Sequence, residues 1–144
     1  MTLHIIKLCV GAESIEDLAQ WQAKRIREQK KRGVKKPTLM HVTRMTPKRK
    51  DELLDGGSLY WIIKGYVSVR TPLLDLRPMV RNGVPHCGLV YKPEFIPVVR
   101  RAHRPFQGWR YLDAKDAPPD VRSLKGGKGL PDALKAELAE LGLL

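Results

Sequence analysis

The stretch SLYWIIKGYVSVRTP, residues 58–72, carries the strongest strand pattern in the chain and decides the fold class. Its alternation places an apolar set of side chains on one face: Leu59, Trp61, Ile63, Val67 and Val69. The opposite face takes the more polar set: Tyr60, Ile62, Lys64, Tyr66, Ser68 and Arg70. Gly65 keeps this alternation in phase, so we predict a bulge, a sharp bend or a close approach to the backbone there.

A strand and a helix are predicted before this stretch. The strand covers residues 3–11 and is followed by a helix that Ser14 caps. Asp17 completes a capping-box pattern and Gly33 ends the helix. The second half of this helix and the residues after it hold eight basic positions in thirteen: Lys24, Arg25, Arg27, Lys30, Lys31, Arg32, Lys35 and Lys36. They indicate either a phosphate-binding face or a solvated helix end whose cations complement the helix dipole.

The remaining elements are shorter. A strand is predicted over residues 38–45, and a short helix over residues 46–57 with Thr46 as its cap and Pro47 in its first turn. Asn82–Gly83 between apolar segments predicts a hairpin. Two further strands and a C-terminal amphipathic helix follow, over residues 94–100, 106–112 and 131–142.

Hairpins in the middle and helices near the ends predict an α+β fold. We expect a small, curled, largely antiparallel and barrel-like sheet with two or three flanking helices. Residues 1–112 form the basic α+β domain in this interpretation, and residues 113–130 form a loop or linker rich in Pro, Gly and charge. Residues 131–144 are expected to pack on the same domain as an amphipathic helix.

Charge is the strongest global signal. The 144 residues carry 27 Lys and Arg against 15 Asp and Glu, a net charge of +12. Residues 1–112 hold 22 basic and 9 acidic residues, whereas residues 113–144 hold 5 and 6. A basic body indicates an anionic partner, and nucleic acid is the usual one because bound phosphates release condensed counterions.

The sequence gives no sign of a membrane or a metal. No stretch approaches the roughly 20 apolar residues that span a bilayer, and the start of the chain has no signal-peptide pattern, so we expect a cytoplasmic protein without a membrane partner. Cys9 and Cys87 lie in apolar strands and are predicted to be buried, inert thiols. The histidines are scattered, so neither a metal nor a cofactor is expected: His4, His41, His86 and His103.

No catalytic motif is found: the P-loop, G-x-G-x-x-G, G-x-S-x-G and H-E-x-x-H patterns are all missing. Catalytic residues therefore stay unassigned, and a binding protein is favoured over an enzyme. Asp51 and Glu52 lie in the short basic helix, where pairing with a neighbouring Lys48 or Arg49 is the simpler interpretation.

The binding signals combine rings with cations, as sites for single-stranded nucleic acid do. The stretch RRAHRPFQGWRYL, residues 100–112, has arginines before a strand that holds Trp109 and Tyr111 on one face. These rings either face the core or stack on a ligand. The full predicted set of nucleic-acid-binding residues is Arg44, Lys48, Arg49, Tyr60, Trp61, Lys64, Arg70, Arg100, Arg101, Arg104, Trp109 and Arg110.

Two resemblances add to this. TRMTPKRKDELLDGGSLYWIIKGYVSVR, RPFQGWRYL and the start LHIIKLCVGAESIEDLAQWQ resemble a domain-of-unknown-function family of short basic alphaproteobacterial proteins, over nearly the whole chain. The order of a basic short helix, GGSLYWII, LLDL and FIPV is more remotely similar to PUA-like domains, in their EVE and ASCH branches. That analogy implies a cleft for RNA or a modified base near Gly57, Ser58, Tyr60 and Trp61, with Arg44, Lys48 and Arg49 at its mouth.

The favoured hypothesis is a non-catalytic, RNA-binding, PUA-like module that recognises structured or modified RNA or acts at the ribosome. The alternative is a small enzyme, of hydrolase, amidohydrolase or nuclease type, that acts on a nucleoside-like substrate with Lys64 or Lys48 in a chemical role. A third interpretation is a protein-interaction module that docks through residues 131–142. The oligomeric state, the RNA and the base recognised stay open.

Overall fold

The computed structural model describes residues 2–9 and 12–121. Within them lie seven strands, which we number β1 to β7: Leu3–Leu8, Leu39–Thr43, Ser58–Ile63, Tyr66–Arg81, Val84–Tyr91, Ile96–Ala102 and Trp109–Asp113. The same part of the chain holds two α-helices, α1 at Ile15–Lys31 and α2 at Lys50–Leu54. A short 3₁₀ turn at Ala114–Asp116 follows β7.

All seven strands join one mixed sheet. The order is β2-β5-β4-β3-β1-β7, and β6 pairs separately with β4. Only the β1–β3 pairing is parallel within the described strands, and the others are antiparallel. The 16-residue β4 organises the sheet, since its first half pairs with β3 and β6 and its second half with β5.

The prediction of a largely antiparallel α+β fold is confirmed. The sheet does not close into a barrel, because the end strands β2 and β7 do not pair with each other. The predicted C-terminal helix and the loop beyond residue 121 lie outside the described residues, so the predicted domain division stays a prediction. No helix in the described ranges has the length and apolar character needed to cross a membrane.

Helix α1 begins and ends where its sequence signals predict. The Ser14 hydroxyl accepts a hydrogen bond from the Asp17 N–H at 3.0 Å. The Asp17 carboxylate in turn accepts from the Glu13 N–H at 3.1 Å. Gly33 follows the helix with a φ of +86°, a conformation that costs glycine little. These local interactions confirm the predicted capping.

Residues 58–72 form two strands where the alternation predicted one. Lys64 and Gly65 have φ values of 50° and 81°, as a tight two-residue turn between antiparallel strands requires. The pairing shifts between Trp61 and Ile62, and Val67 consequently packs with Ile62 rather than with Trp61. The single-strand prediction was wrong because the apolar pattern continues in phase through the turn.

The short helix α2 begins later than its sequence predicts. Arg49 is its first flanking residue and no side chain caps it, so Thr46 and Pro47 precede the helix instead of starting it. The predicted turn at Asn82–Gly83 is confirmed, with φ values of 50° and 76°.

Apolar side chains cover both faces of the sheet. The larger core lies under α1 and includes Ile5, Ile15, Trp61 and Tyr91. On the other face a smaller core forms around Ile6, Tyr60, Ile62, Val67 and Val98. Phe106, Leu112 and Ala117 pack against this second core, and the bridge between Val98 and Asp120 brings the end of the described chain back onto β6.

Candidate nucleic-acid interface

The cations predicted to bind nucleic acid lie in separate parts of the fold. Arg49 lines a cavity beside Thr2 and Leu3, at the start of β1. Lys64 pairs with Glu13 just beyond the other end of β1, with 3.6 Å between the charged atoms. A strand rises about 3.3 Å per residue, so β1 alone separates these two cations by roughly 20 Å. The predicted cations therefore do not all line one groove in the described part of the chain.

The other predicted cations also lie in separate parts of the fold. Arg44 and Lys48 are exposed in the loop between β2 and α2. Arg100 and Arg101 end β6, and Arg104 follows them. All three are exposed. The Arg101 guanidinium donates to the Asp116 carbonyl, and the Arg110 guanidinium lies 4.5 Å from the Phe106 ring centroid.

The rings of β3 are enclosed. Tyr60 is 4% exposed and Trp61 is 3% exposed, on opposite faces of the strand. The Trp61 indole donates to the Thr71 hydroxyl at 3.1 Å and lies edge-on to Tyr91. As placed, neither ring presents a face to a base, and their predicted contact with RNA stays a prediction.

Arg70 belongs to an internal network. Its guanidinium donates to both carboxylate oxygens of Asp120 at 2.8 Å, and to the Ser58 hydroxyl at 2.8 Å. The Ser58 N–H donates to Nδ1 of the buried His4 at 3.0 Å. Burial, and secondarily the charge of Arg70, lowers the pKa of His4. The network holds residues 117–121 against the sheet beside a cavity of about 420 Å³.

The two rings of β7 join it to the loop between β2 and α2. The Trp109 indole donates to the Met45 carbonyl at 2.8 Å. The Tyr111 hydroxyl accepts from the Lys48 and Arg49 N–H groups at 2.9 and 3.2 Å. These three bonds span the seam that strand pairing leaves open. Both rings are partly buried and pack against the larger core, which was one of the two interpretations open from the sequence.

A convergent basic surface lies elsewhere, between α1 and the hairpin of β4 and β5. Four arginines line two adjoining cavities there: Arg25, Arg32, Arg77 and Arg81. We call the surface that these four residues form the α1–hairpin surface. The first cavity, of about 320 Å³, is lined by Arg25, Met40, His41, Val42 and Arg81. The second, of about 460 Å³, shares Arg25 and Met40 and adds Arg32, Arg77 and one acidic residue, Glu28.

Side-chain hydrogen bonds fix the backbone around this surface. The Gln29 amide of α1 donates to the Thr38 carbonyl at 2.7 Å and accepts from the Thr38 N–H at 3.0 Å. This pair holds the start of β2 against the helix. Trp21 lies one helical turn before Arg25, so the two side chains share a helix face. Its ring is 42% exposed. A cation and an open aromatic ring are thus neighbours.

The pKa of His41 reflects the positive charge around the first cavity. Burial is the main cause that lowers its pKa to about 4, and Lys7, Arg25 and Arg81 lower it further. In the described part of the chain, none of these three cations has an acidic partner. Arg77 differs, because its guanidinium lies 3.4 Å from the Asp75 carboxylate. The cavity around His41 is therefore a place of uncompensated positive charge.

His41 should make the fold less stable as the pH falls from 6.5 toward 4. Its pKa is 6.5 when unfolded and about 4 when folded, so the unfolded chain binds more protons in that window. We expect a loss of about 2 kcal/mol, less than the full shift would give because the ring is partly exposed. Urea denaturation at pH 7 and pH 4.5 measures it.

His41→Gln should remove most of this loss and leave the smaller contribution of His4. His86→Gln is the matched control, since His86 lies on β5 away from the cavity. The same pH dependence in the wild type and in His41→Gln would contradict the assignment.

A cavity of about 570 Å³ lies at the start of β1, and both positive and negative side chains line it. Arg49 pairs there with Glu52, and Asp113 and Lys115 complete the rim. No ion pair joins Lys115 to a carboxylate within the described ranges. The same ranges hold no group of three His, Cys, Asp or Glu residues placed for a metal. The enzymatic alternative stays a prediction.

The sequence contained weak signals for the α1–hairpin surface. Trp21 and Arg25 are spaced by four residues on a predicted helix, and a phosphate-binding face is one of the two interpretations that the basic run of that helix leaves open. Arg77 and Arg81 share one face of β4 through its two-residue period. What spacing does not reveal is that side chains of the hairpin and of the helix line the same cavities.

Comparison with known proteins gives a family and nothing finer. No curated protein and no solved structure matches the chain. A family model described as "Protein of unknown function (DUF1489)" matches residues 5–144. This confirms the resemblance to a family of unknown function, and the match covers nearly the whole sequence. The chain is a member of the DUF1489 family.

Proposed function

We propose that this protein binds RNA through the α1–hairpin surface. The observation that carries the proposal is the convergence of Arg25, Arg32 and Arg81 from a helix and a hairpin. None of the three forms an ion pair among the described residues, and Glu28 is the one acidic residue there that lines either cavity. Uncompensated cations in a concave surface attract polyanions, and each phosphate contact adds affinity by releasing counterions.

The exposed ring of Trp21 supports RNA over other polyanions. Base stacking on an aromatic side chain contributes about 1–3 kcal/mol per base, and single-stranded RNA offers unpaired bases for it. Trp21 is 42% exposed and lies beside Arg25, so a base can stack while its phosphate meets a guanidinium. A sulfated or phosphorylated polyanion without bases gains nothing from this ring.

The finer predictions belong to the same proposal. We propose a PUA-like relationship, a cytoplasmic location and a role on structured or modified RNA or at the ribosome. The cavity between His4, Gly56, Tyr60 and Arg70, beside the start of β3, supports the first of these. The buried free thiols of Cys9 and Cys87 support the second, since a reducing compartment keeps thiols unpaired.

The test is the binding of a labelled 20-nucleotide single-stranded RNA at several salt concentrations. Four arginine–phosphate contacts give a log–log slope of about −3, because each contact contributes about −0.7 for a single strand. Arg25→Gln with Arg32→Gln should weaken binding and reduce the slope by about 1.4. Trp21→Ala should weaken binding by about 5- to 150-fold.

The control is Arg44→Gln with Arg104→Gln, which removes the same charge from two exposed residues of the sequence-predicted binding set that lie outside this surface. This control should change the slope little. Absent binding at low salt, or binding without salt dependence, would refute the proposal. An equal loss in the two double variants would refute the location.

A further inference from the structure

We infer that the cavity between Arg25, His41 and Arg81 holds the terminal phosphate of an RNA strand. The inference rests on the proposed function and names the part of the RNA that this cavity recognises. The ligand chemistry is a phosphate monoester, which both a 5′ end and a 3′ end can supply.

Three separate elements build the cavity. Arg25 comes from α1, His41 from the edge strand β2 and Arg81 from the last position of β4, next to the Asn82–Gly83 turn. Met40 and Val42 complete its lining. The volume of about 320 Å³ is at the lower limit of small-ligand sites, the size for one nucleotide end.

The charge in the cavity exceeds what an internal phosphate carries. A phosphodiester within a strand has one negative charge, whereas a phosphate monoester carries about −1.5 to −2 at pH 7. Lys7, Arg25 and Arg81 all act on His41. Of these cations, Arg25 and Arg81 line the cavity, and their two charges match a phosphate monoester better than a diester. A monoester also offers three oxygens to guanidinium donors.

The surroundings of the cavity give the rest of the strand a path. Arg25 and Met40 line the second cavity as well, where Arg32 and Arg77 lie. An RNA strand whose end sits between Arg25 and Arg81 can therefore continue past Arg32 and Arg77. Trp21, on the same helix face as Arg25, lies where a base near that end can stack.

The experiment compares three ten-nucleotide RNAs of one sequence: with a 5′ phosphate, with a 3′ phosphate, and with hydroxyls at both ends. We expect one phosphorylated RNA to bind the full chain at least about tenfold tighter than the hydroxyl form, as for the loss of a charged hydrogen bond. The arm that shows the gain identifies the end. Arg81→Gln should reduce the ratio to about 1, whereas Arg77→Gln should weaken all three RNAs and keep the ratio.

A second measurement does not depend on RNA sequence. Binding of the phosphorylated RNA should raise the pKa of His41 measured by NMR, because the bound anion offsets the positive charge of the cations around the ring. Equal, salt-dependent binding of all three RNAs would overturn end recognition and leave RNA binding intact. Failure of all three to bind would overturn the proposed function itself. A preference that persists in Arg81→Gln would overturn the location.

Discussion

Replacing Gly57 with alanine should leave little folded protein. An added Cβ would overlap the carbonyl oxygens of Leu53 and Leu3, which belong to the last turn of α2 and the start of β1. Neither oxygen can retreat easily, because both are backbone atoms. The Gly57 backbone is itself fixed: its N–H donates to the Leu53 carbonyl at 3.0 Å, and its carbonyl accepts from Leu73 at 2.9 Å. We expect a loss of about 3 kcal/mol or more in the free energy of unfolding.

Gly108→Ala is the matched control. Gly108 has a φ of +73°, and a Cβ there would meet no atom within 4 Å, so only the backbone conformation is strained. That strain costs about 1 kcal/mol. Urea denaturation of the two variants and the wild type gives both values. Equal losses at the two positions would show that α2 and β1 lie further apart at Gly57 than the structure places them.

Asp120→Ala should be the second most damaging of these substitutions. It leaves the Arg70 guanidinium, whose side chain is only 21% exposed, without its carboxylate partner. Breaking a fully buried ion pair costs about 3–5 kcal/mol, and partial solvation reduces this to about 2 kcal/mol here. The bridge between Val98 and Asp120 is formed by backbone atoms and does not need the carboxylate, so the expected loss comes from the ion pair.

A double-mutant cycle separates the ion pair from other effects of the substitution. It combines Asp120→Ala with Arg70→Ala and measures the free energy of unfolding of all four proteins. Asp116→Ala is the control, since Asp116 is an exposed carboxylate in the same segment. The control should change stability by less than about 0.5 kcal/mol. A coupling energy near zero between Arg70 and Asp120 would contradict the structural role of the pair.

Local signals account for the parts of the fold that the sequence predicted. Ser14, Gly33 and the Asn82–Gly83 turn act within a few residues of themselves, and all three were predicted. A sharp bend at Gly65 was one of three predicted possibilities, but the end of one strand there was not predicted, because the alternation continues in phase through the turn. The closure of the barrel was predicted from element order alone, which does not specify whether end strands pair.

The candidate site depends on contacts that the sequence does not encode locally. Arg25 and Arg81 are brought together only when the β4–β5 hairpin tip lies beside α1. Arg70 was predicted to meet RNA, yet its partner Asp120 is 50 residues further along the chain. Alternation placed Tyr60 on the more polar face, and the PUA-like analogy placed both Tyr60 and Trp61 near a cleft, whereas packed segments cover both faces of β3.

The seam between β7 and the loop after β2 has a mechanical consequence. Side chains span it with three hydrogen bonds, from Trp109 and Tyr111 to backbone groups. Each bond contributes about 1 kcal/mol, so separating the two edges costs less than separating a strand from its neighbour, which breaks a whole ladder of backbone hydrogen bonds. The sheet can therefore change its curvature at this seam while every strand keeps its register.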